Sequence, residues 1–302
     1  MEFKITNTDG LTLHTANKYC EEDISIAVDI ETKEDLTTEL SAQDTSIGTQ
    51  ETTIDSIISA LEGKAAGVDI DLKGLIEKTI TSLTLPNDLT KIGAYAFYNC
   101  SNLVINGLPS GITSIGQYAF YTCPKVVISS LPSGLTSIEP YTFYNCSKLT
   151  CTELPNNITS IGSNALRKCY YLALTKLPDA LTTLAEQAFN SCSRMTITSV
   201  PSGVTVLNEY VFAYCTGLTE LTFQGAITNI AKYALYSCTG LTKLVFPNIT
   251  AVPTLAATSA FGSSAVASGT CYIYVPDTLV DSMKAATNWS TYAAQIKGLS
   301  EL

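Results

Sequence analysis

The chain has 302 residues, 46% of them hydrophobic and 15% charged, with a formal net charge of −10 at pH 7. The charge is unevenly placed: residues 1–71 carry 16 acidic and 4 basic side chains, and residues 72–302 carry 11 and 13. An acidic first segment on a nearly neutral body offers no basic stripe for a nucleic-acid groove, and no run of about 18 apolar residues is present to cross a membrane.

In chain order, residues 1–30 alternate apolar and polar side chains in short runs (Phe3-Lys-Ile5, Leu11-Thr-Leu13, Ile24-Ser-Ile26) and predict a small β unit. Met1 to Gly10 shows no basic segment followed by an apolar one, so no secretory signal is visible. Residues 31–66 predict a helical stalk. Leu40, Ile47, Ile54 and Leu61 fall seven apart, and Leu36 and Ile57 lie on the companion row with Gln43 and Gln50. This is an a/d seam, a candidate coiled coil. Two readings stand: a solvated helix lying on its own domain, or a parallel homo-oligomer through 31–62, with a trimer preferred. Gly48 and the two glutamines weaken the seam. Residues 67–79 are read as a linker and N-terminal cap, with Leu72, Leu75 and Ile76 on one short helix.

From residue 80 to 276 the chain repeats. Leu85-Pro86, Leu108-Pro109, Leu131-Pro132, Leu154-Pro155, Leu177-Pro178 and Val200-Pro201 are spaced by 23, and Cys100, Cys123, Cys146, Cys169, Cys192, Cys215 and Cys238 keep the same beat. Each unit predicts a turn at Pro, a short β-branched extended segment such as Ile112-Thr-Ser-Ile115, a helical or 3₁₀ turn at Tyr-Ala-Phe-Tyr, and a second strand ending at the next Leu-Pro. That strand reads Leu218-x-x-Leu221-x-Phe223 late in the array. In the middle the second apolar residue slides by one, to Ile105, Ile128, Cys151, Leu174 and Ile197, which means a change of register or of buried face. After 276, Asp277 is expected to N-cap a helix over about 278–287, and Trp289 and Tyr292 to open a second short helix within a C-terminal cap.

The pattern Leu-Pro-x-x-Ile-Thr-x-Ile-Gly-x-x-Ala-Phe-x-x-Cys-x-x-Leu resembles the BspA-type, or treponemal-type, leucine-rich repeat. The resemblance covers about 80–276. It implies an α/β repeat fold: a right-handed leucine-rich-repeat solenoid with parallel strands and short helical turns. It also implies a non-enzymatic surface adhesin. The stretch Leu-x-Thr-Ala-x-Lys-Tyr-Cys-x-x-Asp-Ile (Leu13 to Ile24) with the following stalk is similar to proteins encoded in phage and prophage tail regions of gut bacteria. Localisation is accordingly expected at a bacterial cell surface or on a virion tail.

Catalytic and metal readings find little support. Cysteines 23 apart with a single histidine, His14, do not supply the close ligand pairs of a zinc site. They read as small buried hydrophobes, with Cys151 also in the core and Cys20 and Cys271 the most exposed. No triad, phosphate loop, cofactor or metal is expected. Tyrosine is the informative excess: Tyr95, Tyr118 and Tyr141 form one row, continued at Tyr210 and Tyr233, and Tyr98, Tyr121 and Tyr144 form another three residues on. The ordinary explanation is packing between repeats with wet hydroxyls. The functional one is an aromatic strip that stacks on sugars or a protein. The central repeat departs from the pattern with Asn164, Arg167, Lys168, Tyr170 and Tyr171, by drift or as a recognition patch. The expected function is recognition of a cell-surface glycan or protein without catalysis. It would be exercised as a phage tail fibre, as a bacterial adhesin, or, if nothing binds, as a structural spacer.

Overall fold

The computed structural model describes residues 81–85 and 87–302, together with the backbone of 2–6, 12–17 and 24–29. The expected stalk at 31–66 with Leu36, Leu40, Ile47, Ile54, Ile57 and Leu61, the cap at 67–79, and Cys20 lie outside these residues. Near the N-terminus, β1 (Glu2–Thr6), β2 (Thr12–Asn17) and β3 (Ile24–Asp29) form an antiparallel meander. β1 also pairs antiparallel with the first short strand of the array, Ile5 opposite Ile92.

The array is a parallel β-solenoid in which each 23-residue coil stacks on the one before. One row of short strands comes from the segment after each proline. It comprises β4 (Lys91–Ile92), β5 (Ser114–Ile115), β6 (Ser137–Ile138), β7 (Ser160–Ile161) and β8 (Thr183–Leu184), and is resumed farther along by three more two-residue strands. The pairings are parallel with Ile on Ile or Leu, as in Ile138–Ile161–Leu184. The buried second residue of each strand points to the core while the Lys, Ser or Thr before it is at least partly exposed.

The second row explains the sliding apolar residue. Toward the C-terminus it is a regular sheet of β9 (Ser199–Val200), β11 (Glu220–Phe223), β13 (Lys243–Val245), β15 (Tyr272–Val275) and β16 (Ile296–Gly298), with β10 (Val206–Leu207), β12 (Asn229–Ile230) and β14 (Thr254–Leu255) in the first row. There Leu221 and Phe223 alternate inward. Earlier coils bury Ile105, Ile128, Cys151, Leu174 and Ile197 one position sooner. The side chain stays inside, but period-two alternation with the next buried residue is lost. The ladder there reduces to isolated parallel bridges, Ser82–Val104, Asn106–Val127 and Ile128–Leu149.

The expected helical turn at Tyr-Ala-Phe-Tyr is not helical. Hydrogen bonds alternate in direction along it. The amides of Tyr95, Phe97 and Asn99 donate to the carbonyls of Gln117, Ala119 and Tyr121 in the next coil, at 3.0, 2.7 and 2.8 Å, whereas those of Tyr98 and Cys100 close turns on Tyr95 and Phe97. This zigzag needs two left-handed residues per coil. They are the first tyrosine position (Tyr95, Tyr118, Tyr141, Asn164, Gln187, Tyr210, Tyr233) and the residue before cysteine (Asn99, Thr122, Asn145, Lys168, Ser191, Tyr214, Ser237), with φ between 54 and 66°. A helix cannot accommodate a left-handed residue every fourth position.

Inside, Phe97, Phe120 and Phe143 stack with centroids 5.0 and 5.5 Å apart, and Phe189 lies on Phe212 at 5.8 Å. The cysteines beside them are all buried, as thiols rather than disulfides. From Cys123 to Cys238 each thiol of the row donates to the carbonyl 26 residues earlier, Cys123 to Phe97 at 2.9 Å and Cys238 to Phe212 at 3.0 Å. Cysteine is thus a small hydrophobe that also satisfies a carbonyl. Cys151 is buried as expected; Cys271, expected near the surface, is fully buried beside the last turns.

The C-terminal cap differs from expectation. Asp277 does not cap α1 (Val280–Ala285); its Oδ1 instead accepts from the Ser300 hydroxyl at 2.8 Å and the Ser300 amide at 3.3 Å. The chain after Tyr292 adds β16 parallel to β15 rather than a helix, so the ladder runs past 276. Trp289 fills the cap core. Its indole N–H reaches the Pro253 carbonyl at 2.8 Å and its ring lies 5.8 Å from Phe261.

Candidate recognition site

The two tyrosine rows form one double stripe along a corner of the solenoid. The left-handed backbone at the first tyrosine aims each ring along the coil edge, so rings of successive coils lie face to face. Tyr95, Tyr118 and Tyr141 stack at 4.8 and 4.6 Å, and Tyr98, Tyr121 and Tyr144 at 4.8 and 4.7 Å. The rows touch at tilted contacts of 5.7 to 6.3 Å. The ring faces are therefore taken by one another. What the stripe presents outward is a double line of phenol edges. Burial, with neighbouring Tyr141, Tyr95 and Tyr121 adding to it, raises the Tyr118 hydroxyl above its ordinary 10.0. The Tyr118 hydroxyl stays protonated at neutral pH and can donate as well as accept.

The stripe ends at the central repeat. Asn164 and Arg167 replace the two tyrosines, and Gln187 and Asn190 replace them in the next coil. A polar knot fills the break: Arg167 Nη1 donates to Asn164 Oδ1 at 3.1 Å and to Gln187 Oε1, and Asn164 Nδ2 donates to Ser163 Oγ at 2.9 Å. Asn164 and Asn190 are buried, while Arg167 Nε is buried with no partner. On the stack side, the Arg167 guanidinium lies 5.7 Å and the Lys168 ammonium 5.5 Å from the Tyr144 centroid. The cations close the open face of the last ring. Beyond the break the stripe resumes with Tyr210 on Tyr233 at 4.5 Å.

Tyr170 and Tyr171 do not join the stripe. They lie past the buried Cys169 and are among the most exposed large side chains, at 41% and 46%. The Arg194 guanidinium covers the Tyr171 ring at 4.3 Å. The same row, two residues after each cysteine, holds Asn102, Lys125 and Lys148, and Lys125 Nζ donates to Asn102 Oδ1 at 2.9 Å. The structure thus brings Arg167 and Lys168 to the tyrosines and sets Tyr171 on a separate, basic row. Sequence reasoning overlooked Lys125, Lys148 and Arg194. Counting the period from cysteine rather than from proline reveals them.

Among the described residues no group of three or more His, Cys, Asp and Glu side chains is placed to hold a metal ion, and no helix is long and apolar enough to cross a membrane. Burial raises the thiols of the cysteine row, those of Cys151, Cys238 and Cys271 to about 12. They are poor nucleophiles at neutral pH.

Stacked parallel coils with an Leu-Pro and Cys beat define a leucine-rich-repeat solenoid. The BspA-type leucine-rich repeat region matches in six copies, over residues 70–196 and 136–264, and the chain belongs to that family. A leucine-rich repeat protein from Bacteroides ovatus is similar at 25% identity and TM-score 0.56, over 69% of this chain and 53% of that one. The chain therefore spans about half the length of that structure. The Treponema pallidum leucine-rich repeat protein is 29% identical over 47% of this chain and 68% of its own, at TM-score 0.41. A leucine-rich cell surface protein from Faecalibacterium prausnitzii is 20% identical over 73% and 79%, at TM-score 0.45. No curated protein matches.

Proposed function

We propose that this chain is a non-enzymatic recognition protein of a bacterial surface, binding a cell-surface glycan or protein at the turn corner of its central repeats. The observation that carries the reading is the break at 164–190. A solenoid repeats what its core needs and varies where it binds, and here one repeat replaces stacked tyrosines with a cation cluster beside two exposed tyrosines. Membership of the BspA-type family supports a binding role at the surface.

The test uses the labelled full chain on intact epithelial cells and on printed panels of glycans and matrix proteins. Arg167→Ala with Tyr171→Ala is expected to lower binding about tenfold, the usual weight of one or two interface anchors, with an unchanged circular-dichroism melt. Undiminished binding would sink this site. A virion tail-fibre role is the second reading, favoured by the heptad seam and by the Leu13 to Ile24 motif. It calls for a homo-oligomer through 31–62. Light scattering on the full chain and on its Ile47→Asp, Ile54→Asp variant decides it: a trimer reduced to a monomer supports the fibre, and a monomer in both cases removes it.

A further inference from the structure

We propose that the turn corner of the coils from 109 to 200 is a docking strip for a linear acidic polysaccharide, one bearing carboxylate or sulfate groups. This rests on the recognition reading above and names its ligand. The first observation is one of sign. The segments 95–104, 118–127, 141–150, 164–173, 187–196, 210–219 and 233–242, from the first tyrosine position to the following strand, contain no Asp or Glu. They contain five cations, Lys125, Lys148, Arg167, Lys168 and Arg194, all in four successive coils. Lys125, Lys148 and Arg194 are exposed, and Arg167 and Lys168 partly so.

The second observation is that these charges are not neutralised. Lys176, Lys243 and Lys297 pair with Asp179, Glu220 and Glu301 at 2.9, 2.8 and 3.5 Å. None of the five corner cations meets a carboxylate among the described residues. The partners of Lys125, Arg167, Lys168 and Arg194 are an amide oxygen (Asn102, Asn164, Gln187) or a tyrosine ring (Tyr144, Tyr171). Residues 72–302 hold 11 acids beside 13 bases, and none of those acids falls in the corner segments, so the placement is selective.

The third observation is geometry. Coils one strand spacing apart, about 4.8 Å, put Lys125, Lys148 and Arg194 on one row of roughly 14 Å with Tyr171 at its third position, and Arg167 and Lys168 of that third coil flank the row at the tyrosine stripe. A linear polymer with regularly spaced anions can meet several of them at once. The tyrosines select among polyanions. Their faces are occupied by each other at 4.6 to 4.8 Å, so they offer bases no platform for stacking. Their hydroxyl edges form a row of donors and acceptors beside the cations, which suits a polymer whose own surface is hydroxyls. That favours an acidic sugar over a nucleic acid or an acidic peptide.

The experiment measures fluorescence anisotropy of labelled hexasaccharides with the full chain. One is an oligogalacturonate, carrying carboxylates; one is heparin-derived, carrying sulfates; one is neutral maltohexaose. A poly-glutamate peptide and oligo-dT are the remaining probes. Binding of one or both acidic sugars, weakening with salt, and none of maltohexaose is the expected result; which acidic sugar is tighter separates carboxylate from sulfate. Lys125→Gln, Lys148→Gln, Arg194→Gln should lower affinity about tenfold or more, since each neutralised contact contributes to the salt-dependent term. These side chains are exposed, so the fold is not at risk. A charge-matched variant, Lys176→Gln, Lys232→Gln, Lys284→Gln, should leave affinity unchanged. Equal losses in both variants, tighter binding of poly-glutamate or oligo-dT, or no binding of either acidic sugar overturns the proposal. If the acidic sugars fail while cell binding still depends on Arg167 and Tyr171, the ligand assignment falls and the recognition reading stands. If cell binding is absent too, both fall.

Discussion

Each coil holds two residues in the left-handed region, and Thr122 is the β-branched one among them. Thr122 has φ of 54° where Asn99 and Asn145 have 59° in the neighbouring coils. A β-branched side chain in the left-handed region is poorly tolerated, whereas asparagine visits it readily. Thr122→Asn is expected to stabilise by about 0.5–1 kcal/mol, read as a rise of a few degrees in melting temperature; a fall would show that the threonine makes a compensating contact. The buried thiols give a pH signature. Folding raises the cysteine values well above the ordinary 9.0, chiefly by burial, reinforced for Cys146 by the neighbouring Cys169. The unfolded chain begins to lose thiol protons near pH 8.5 while the folded chain holds them. The thiols' contribution is fully present below that pH and is lost progressively as pH rises toward about 12. Melting temperature should decline steeply above about pH 9, and alkylation of the buried cysteines of the array in the native protein at pH 8 should proceed only at the rate of unfolding. Rapid labelling of Cys169 or Cys192 without denaturant would contradict their burial.

At the scale of elements, close stacking of coils depends on positions without side chains. A Cβ on Gly116 would overlap the Ala94 amide nitrogen and lie 2.6 Å from its Cα, with only backbone to yield. Gly116→Ala should therefore destabilise by about 2–3 kcal/mol, as overpacking against fixed atoms does; Gly107→Ala, with nothing nearby, pays only for its positive φ of 96°. Denaturant melts of the two variants separate crowding from conformation. The same coils show why reading the sequence succeeded in part. Cysteine repeats in every coil from 100 to 238, and phenylalanine in all of them but those with Leu166 and Leu235, because each occupies one core position, so the period and the core were legible. The turn segment was misread as helical because its tyrosines look apolar at helical spacing, and tyrosine seldom takes a left-handed backbone. β16 was missed because Ile296-Lys-Gly298 has one buried apolar residue and acquires strand geometry only by pairing with β15. In the site, Arg167, Lys168 and Tyr171 stood out as departures from the repeat, while Lys125, Lys148 and Arg194 were hidden because one lysine per coil resembles ordinary surface charge. Only stacking reveals them as a row.

At the scale of the whole molecule, each coil bonds to the coil before it and the coil after it, so stability accumulates along one dimension. A core cut is felt locally: Phe120→Ala, which removes the middle of a stack of three rings, should cost about 3–5 kcal/mol and loosen coils 86–154 before those beyond 200, measurable as uneven hydrogen exchange. Uniform loss of protection would instead mean that the array unfolds as one unit. The 23-residue closure of each coil has a further result for heredity. Loss or gain of whole periods leaves every row in register, so such changes act on function while leaving the scaffold intact. Excision of 155–200, two periods, would rejoin Leu154 to Pro201 and keep the Leu-Pro junction. Cys215 would follow Cys146 and Tyr210 would settle on Tyr141, merging the two tyrosine stacks into one. Of the five corner cations only Lys125 and Lys148 would survive. A single in-frame recombination between repeats could thus convert a charged recognition strip into an uninterrupted aromatic spine, with no intermediate that fails to fold.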